Sequence, residues 1–544
     1  MKKILLYSTI LVGLAALAGC SKNFLNREPI SNLTSGNFYK DDDEVMAGTA
    51  PLYNITWFDY NDKAFLAFGV ARGGSLNSND RTPYIEFDAS ATDQTTLLTG
   101  YKAFYKIAAQ ANLTMQNIVN STGSTVSDTI RAYALSECHF MRGVAYYYLV
   151  SNWGAVPIVY DNTNQLSDSL RRNTIESVWQ FIIMDLRYAV NHLPAASYQP
   201  GRINKYSAEG MLAKFYLIRS GLDKTLGNRS QTDLDSAKYL AEDVIANSGM
   251  ALPSDYYNMF VGVNNNAAKV DPESLFSLLW QPVSTPWGVN NSFQAYMAFE
   301  GAITQTGDGW GSAQGGSAAL IDYFINNPAD SIRRKATIMF PGDTYAELNK
   351  VGGGVSVPTS VNYAYVKKYV IGSPADNNGN GAFMAAYTNT IILRLAEVYL
   401  IYAEAVMGNG TSTTDGTALA AFNAVRERAG MPDATSLTFA DIFQEKWIET
   451  AIEGNEWYDI LRWWYFDPTD AEAYVTAQDR GLNYTLAWVP GSFGPRRYTF
   501  TSSGEHYSFN ASTVYLPFPE SEMVQAPGLS QPAVAFNFGV LPNY

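Results

Sequence analysis

The chain has 544 residues, 47% of them hydrophobic, and a net charge of −14. It is long enough to bury a large core without cross-links. So acidic a balance excludes nucleic-acid binding, which needs basic surface, and electrostatic docking on anionic lipid. Three histidines (His139, His192, His506) leave little for a metal centre or proton relay, whereas aromatics reach 14%, with 36 Tyr and 11 Trp.

The first element is MKKILLYSTILVGLAALAGC. Lys2 and Lys3 precede an uncharged apolar run, Ile4 to Ala18, and small residues follow. This predicts a secretory signal peptide over 1–19; the run is shorter than the roughly 20 apolar residues of a membrane span. Leu17-Ala18-Gly19-Cys20 is similar to a bacterial lipobox, so Cys20 is expected to carry a lipid. The second cysteine, Cys138, then has no disulfide partner, and its place in a helical pattern predicts a small buried apolar residue.

Residues 20–36 are expected to form a tether. Asp41, Asp42, Asp43 and Glu44 then read as the charged first turn of a helix rather than a calcium cluster, because negative charge suits a helix N-terminus. Apolar residues at helical spacing predict helices over 101–119, 130–154, 175–194, 206–221 and 233–249. The last two form a pair in which small residues (Ala208, Ala213, Ala237, Ala241) alternate with large ones (Leu212, Tyr216, Tyr239, Leu240). This resembles a tetratricopeptide hairpin with a lengthened loop. The pattern returns at 393–410 with 418–430, followed by a single predicted helix over 439–464. Between these blocks, 252–390 is rich in Gly, Asn, Pro, Ser and aromatics and has little helical periodicity. A shorter stretch, 59–97, and the tail, 465–544, share that texture. The expected organisation is therefore mainly α: a tetratricopeptide-like helical-hairpin scaffold (an α/α superhelix) in two parts, 37–251 and 391–464. A loop-rich module, 252–390, is inserted between them, and long irregular insertions of this kind usually carry function.

Several segments in order carry a resemblance: the lipobox, FLNREPIS, ECHFMRGVAYYYLVSNWGAVPIVYD, VWQFIIMDL, GRINKYSAEGMLAKFYL, IILRLAEVYLIYAEA, AVRERAG, EKWIETAIEGNEWYDILRWW and YLPFPESEM. Together they resemble the SusD/RagB family of outer-membrane nutrient-binding lipoproteins over nearly the whole chain. The resemblance implies a helical scaffold with an irregular ligand-binding module, a lipid anchor at the outer membrane, and partnership with a SusC-like TonB-dependent barrel transporter. It implies capture of a glycan, handed to the barrel, and no enzymatic activity. Ser21-Lys22-Asn23 lacks the acidic residues that often follow the anchor of surface-displayed lipoproteins, so an outward-facing position rests on the resemblance alone. A peptide-capturing member of the same fold, and a scaffold lipoprotein that binds only protein, are the alternatives.

A sugar ring offers a C–H face that packs on flat aromatic rings, and hydroxyls that need oriented polar partners. Trp287 and Trp310 sit beside glycines in polar loops and are the first candidates, with Tyr296 between them. Trp280 follows an apolar run and is expected in the core, while Trp447, Trp457, Trp463 and Trp464 read as core or transporter contact. The resemblance adds the loop GVARGGSLNSNDRTPY, whose Arg72, Asn79, Asp80, Arg81 and Tyr84 would border the site. Glu449 and Glu453 share a helix face, as a glycosidase pair could, but are expected to pair with Arg426 or Arg428. DNNGNG (376–381) matches the first half of a calcium loop, yet Tyr387 stands where the bidentate Glu belongs, so a surface turn is expected. No cofactor is indicated, and calcium there stays open as an alternative.

Overall fold

The computed structural model describes residues 38–121, 125–163, 165, 170–222, 227–490 and 497–542. The predicted signal peptide, Cys20 and tether lie outside the described residues. Helix α1 (Asp42–Thr49) opens at Asp41, whose carboxylate accepts the Glu44 N–H. Asp42 accepts the Ser127 N–H (2.8 Å) and hydroxyl (3.0 Å), so the acidic turn fastens the start of α3. Then come α2 (Leu97–Ser121), α3 (Asp128–Trp153), α4 (Ile175–His192), α5 (Lys205–Arg219) and α6 (Gln231–Asn247). Each of α3, α4 and α5 starts at a side-chain cap, from Ser127, Thr174 and Asn204.

From Tyr133 to Trp153 every residue of α3 is buried, Cys138 included. A helix apolar on all sides belongs at the centre of a large core, and α3 packs between α2 and α4. Its buried charge is paired: Arg142 grips Asp185 of α4 through Nε and Nη2, both at 2.8 Å, and Asn112 of α2 through Nη1 at 2.8 Å. Helices α5 and α6 form the expected hairpin. The second is α7 (Leu395–Met407) with α8 (Gly416–Arg428), and α7 also packs on α6.

The helix predicted over 439–464 is two helices, α9 (Phe439–Glu449) and α10 (Glu456–Phe466). The break is tertiary in origin. Ile452 and Gly454 have φ of 64° and 80°. A Cβ on Gly454 would lie 2.7 Å from the Phe65 ring, and one on Gly69 would lie 2.4 Å from the Gly454 carbonyl oxygen. Two backbones touch here, and a continuous helix could not make that approach. The 59–97 stretch departs from the irregular expectation too. Tyr60–Ala64 and Leu66–Ala71 are π-helical and, apart from Lys63, buried, and α2 begins at Leu97.

The 252–390 segment holds short helices and small sheets. The largest is antiparallel with four strands in the order 76–78, 314–316, 365–366, 338–339, so the N-terminal loop is woven into the insertion. Strands Ser274–Leu278 and Thr390–Arg394 pair where the insertion leaves and rejoins the scaffold.

That junction is clamped by a buried ionic cluster. Arg394 reaches Glu273 (2.9 Å), Glu449 (2.6 Å) and Glu453 (2.8 Å). Arg428 pairs with Glu273 and Glu449, Lys368 with Glu453 (2.9 Å), and Arg333 with Asp330, Glu445 and Glu449. Glu449 and Glu453 are thus structural counter-ions, not a hydrolytic pair. Arg428 is the expected partner of Glu449, whereas Arg426 pairs with Glu445. Burial pushes the Glu449 carboxyl up, but Arg428, Arg394 and Arg333 outweigh it and hold it down to about 2.

Candidate functional site: an aromatic platform

Exposed large aromatics gather on loops of the insertion. Trp310 and Phe383 are each 46% exposed and meet edge to face, centroids 5.8 Å apart. The Tyr296 ring is also against Trp310, tilted, with centroids 6.1 Å apart. Trp287, 47% exposed, stands on Phe58 at 5.2 Å, and Phe58 in turn rests on Trp280. Trp280 itself is fully buried and donates its Nε1–H to Thr390 at 2.9 Å, as its sequence context predicts.

These rings are held by fixed backbone. The Trp310 N–H donates to the Ala295 carbonyl and the Gly311 N–H to the Ala298 carbonyl, both at 2.8 Å. A Cβ on Gly311 would lie 2.3 Å from the Met297 carbonyl oxygen, so glycine is required beside the tryptophan. The Asp308 carboxylate accepts the Met384 N–H at 2.6 Å, which fixes the Phe383 turn against the Trp310 loop. Asn290 donates to the Met384 carbonyl and Asn291 to the Thr388 carbonyl, both at 2.7 Å. Rings placed in this way lose little freedom on meeting a ligand.

Polar groups flank the platform. The Arg81 guanidinium lies 5.6 Å from the Tyr296 ring centroid. Burial pushes its pKa down, opposed by Asp80, Tyr296 and Asp62. Asp62 is buried; it takes the Ser292 hydroxyl, the Tyr296 hydroxyl (3.3 Å) and the Lys63 ammonium (2.8 Å). Lys63 keeps 40% of its side chain exposed. Asn79 and Asp80 are exposed on the turn Asn79–Arg81.

The structure therefore gathers Tyr296, Trp310 and Arg81, with Asn79 and Asp80 on the same turn as Arg81, and sets Trp287 on neighbouring loop backbone. Arg72 and Tyr84 do not join them. Arg72 is buried and its guanidinium stacks 3.6 Å from the Trp457 ring centroid; Tyr84 is buried and donates to Asp93 at 2.7 Å. Arg72 turns inward to partners far along the chain, whereas Tyr84 is held by Asp93 only nine residues on and packs on Phe68. Three groups were missed: Phe383, Asp62 and Lys63. Phe383 follows Gly379 and Gly381 in the same glycine-rich texture that singles out the tryptophans, so a signal for it existed. Trp447 and Trp457 are core, and Trp463 and Trp464 are half-buried.

The DNNGNG turn is organised around Asp376, whose carboxylate accepts N–H groups of Asn349, Lys350 and Ser373 at 2.7–2.8 Å and the Ser373 hydroxyl at 2.8 Å. Among the described residues no group of three or more His, Cys, Asp or Glu is placed to hold a metal ion.

The insertion thus displays a cluster of exposed aromatic rings on the helical-hairpin scaffold. Residues 281–534 match the model of the SusD family, and residues 43–217 match a SusD-like model described as starch-binding and associating with the outer membrane. A SusD-like protein of Bacteroides ovatus is 35% identical over 539 residues, covering 96% of both chains. The starch-binding protein SusD of Bacteroides thetaiotaomicron is 24% identical, covering 63% of this chain and 66% of that one. A crystal structure solved with a xylogluco-oligosaccharide superposes with a TM-score of 0.82 at 33% identity, covering 91% of this chain and 99% of that one. The chain belongs to the SusD family. Among the described residues no helix is long and apolar enough to cross a membrane.

Proposed function

We propose that the protein is a non-enzymatic lipoprotein of the outer membrane. It is held by lipid on Cys20, captures a glycan at the cell surface, and passes it to a SusC-like TonB-dependent transporter. The observation that carries glycan capture is the exposed, backbone-pinned set Trp287, Trp310 and Phe383, with Tyr296, Arg81 and Lys63 beside it. Flat rings take sugar faces, and the neighbouring cations and turn polar groups meet hydroxyls. The structural neighbour solved with a xylogluco-oligosaccharide supports a xylogluco-oligosaccharide as the first ligand to try. The absence of catalysis is supported by the assignment of Glu449 and Glu453 to the buried ionic cluster.

Native gels cast with xyloglucan, other β-glucans, starch and pectin give the test. One polysaccharide is expected to retard the protein. Trp287→Ala and Trp310→Ala should each weaken that binding by roughly tenfold or more, the scale of about 1.4 kcal/mol or above for a truncated aromatic anchor. Retardation unchanged in both folded variants would remove the platform from the reading; retardation by none of the panel, with capture of peptides from a protein digest, would replace glycan by peptide.

A further inference from the structure

Arg72 opens onto a second feature, away from the aromatic platform. A cavity of about 530 Å³ lies among Arg72, Tyr84, Trp153, Arg172, Tyr515 and Phe518. That volume is in the range of small-ligand sites and exceeds a single sugar unit.

The cavity's charge is uncompensated. Arg72 is 1% exposed, and every acceptor it has among the described residues is neutral: Asn152 Oδ1 (3.3 Å) and the carbonyls of Thr513 (3.5 Å) and Val514 (2.8 Å). The Trp457 ring covers one face of it. Burial pushes its pKa down to about 9, and the groups acting on it are Tyr458, Tyr84 and a second cation, Arg480. Arg172 donates Nη2 to the Gln531 carbonyl (3.0 Å), lies 5.6 Å from the Phe518 ring centroid, and has a buried Nε with no partner. One carboxylate, Asp88, is on the lining; it is exposed and forms no ion pair with either arginine among the described residues. Among the described residues Arg480 is the other guanidinium so buried with only neutral acceptors, but it does not line the cavity, whereas Arg72 does. The cations of the Arg394 cluster all sit against carboxylates, in a chain whose net charge is −14. A buried guanidinium without a counter-ion is costly, and a ligand that supplies one recovers that cost. Guanidinium forks match carboxylate geometry, and Tyr84, Trp153 and Phe518 give apolar walls for the ring that carries it.

We propose that this cavity is a second ligand site, for a carboxylate borne on a sugar ring: a uronic acid unit of an acidic glycan, held between Arg72 and Arg172. It neither uses nor overlaps the side chains of the platform.

Titration calorimetry of the full chain in detergent, with D-glucuronate, its methyl ester and D-glucose, tests it. Glucuronate is expected to bind at millimolar concentration or tighter and to weaken as salt is raised. The ester and glucose should bind at least tenfold more weakly. Arg172→Gln, at a half-buried position that leaves Arg72 packed, and Ala511→Trp, which fills the exposed rim, should each lower glucuronate affinity at least tenfold, while Trp310→Ala leaves it unchanged. Acetate included as a competitor should displace glucuronate only at much higher concentration. The proposal is overturned by no glucuronate binding, by equal binding of glucose, by equal potency of acetate, by both cavity variants binding as the parent does, or by loss in Trp310→Ala.

Discussion

Glu456 shows what a single buried residue does to stability. It sits at the start of α10, where its carboxylate takes the Ile452 N–H at 2.6 Å and the Ser75 hydroxyl, and its second oxygen has no partner among the described residues. Burial pushes its pKa up to about 7 against the pull of those two donors. The folded chain therefore keeps a proton that the unfolded chain has released above about pH 4.5. The stability that Glu456 contributes is complete below that pH and is lost as pH rises through about 7, with a slope of up to about 1.4 kcal/mol per pH unit. Glu456→Gln should flatten this fall. Urea unfolding at pH 5 and pH 8 is expected to show a smaller difference in the variant and a higher midpoint than the parent at pH 8. An unchanged difference would mean that the carboxylate stays ionised in the fold. Glu209, also held near 7 by burial, acts in the same sense and will keep part of the slope. At this scale the sequence says little. Arg72 and Arg81 lie in one loop with similar neighbours, yet one stacks on Trp457 and the other flanks Tyr296, because their partners lie far along the chain.

At the scale of elements, the helices with a cap and a clear apolar stripe were legible. Thr174 ahead of Ile175, and the small-and-large alternation of α5 with α6, are local signals that survive folding unchanged. What was not legible is set by contact between distant segments. The α9–α10 break exists because Gly454 meets Gly69 and Phe65, and neither end of that contact has a local marker. The π-helical run 60–71 likewise owes its shape to the core it fills. The joint between scaffold and insertion rests on Arg394, whose guanidinium spans Glu273 at one end of the insertion and Glu449 and Glu453 after α8. Removing it leaves three buried carboxylates short of a cation, a loss of about 3–5 kcal/mol. Arg394→Met is therefore expected to lower the denaturation free energy by that amount and to expose the insertion to limited proteolysis ahead of the scaffold. A variant that loses less than about 1 kcal/mol would show that Arg428, Arg333 and Lys368 carry the cluster without it.

For the whole molecule, the question under the reading proposed above is where the chain is held while its platform faces a polymer. A binding surface of a few rings gives modest affinity for one sugar chain, so on that reading retention near the proposed transporter matters as much as the contact itself. The described residues contain no helix long and apolar enough to span a bilayer, and a net charge of −14 gives no overall attraction to anionic lipid. Under the reading proposed above, attachment falls to Cys20. A single acyl chain holds a protein only marginally, whereas the two chains of the diacylglycerol expected on a lipobox cysteine make attachment stable. Cys20→Ala is accordingly expected to move the protein from the membrane pellet to the soluble fraction on cell breakage, with the unfolding midpoint and the gel retardation by polysaccharide both unchanged. Metabolic labelling with a radioactive fatty acid should mark the parent and not the variant. A variant that stays in the pellet, unlabelled, would mean that contact with a membrane partner holds the chain in place and that the lipid is dispensable for its position.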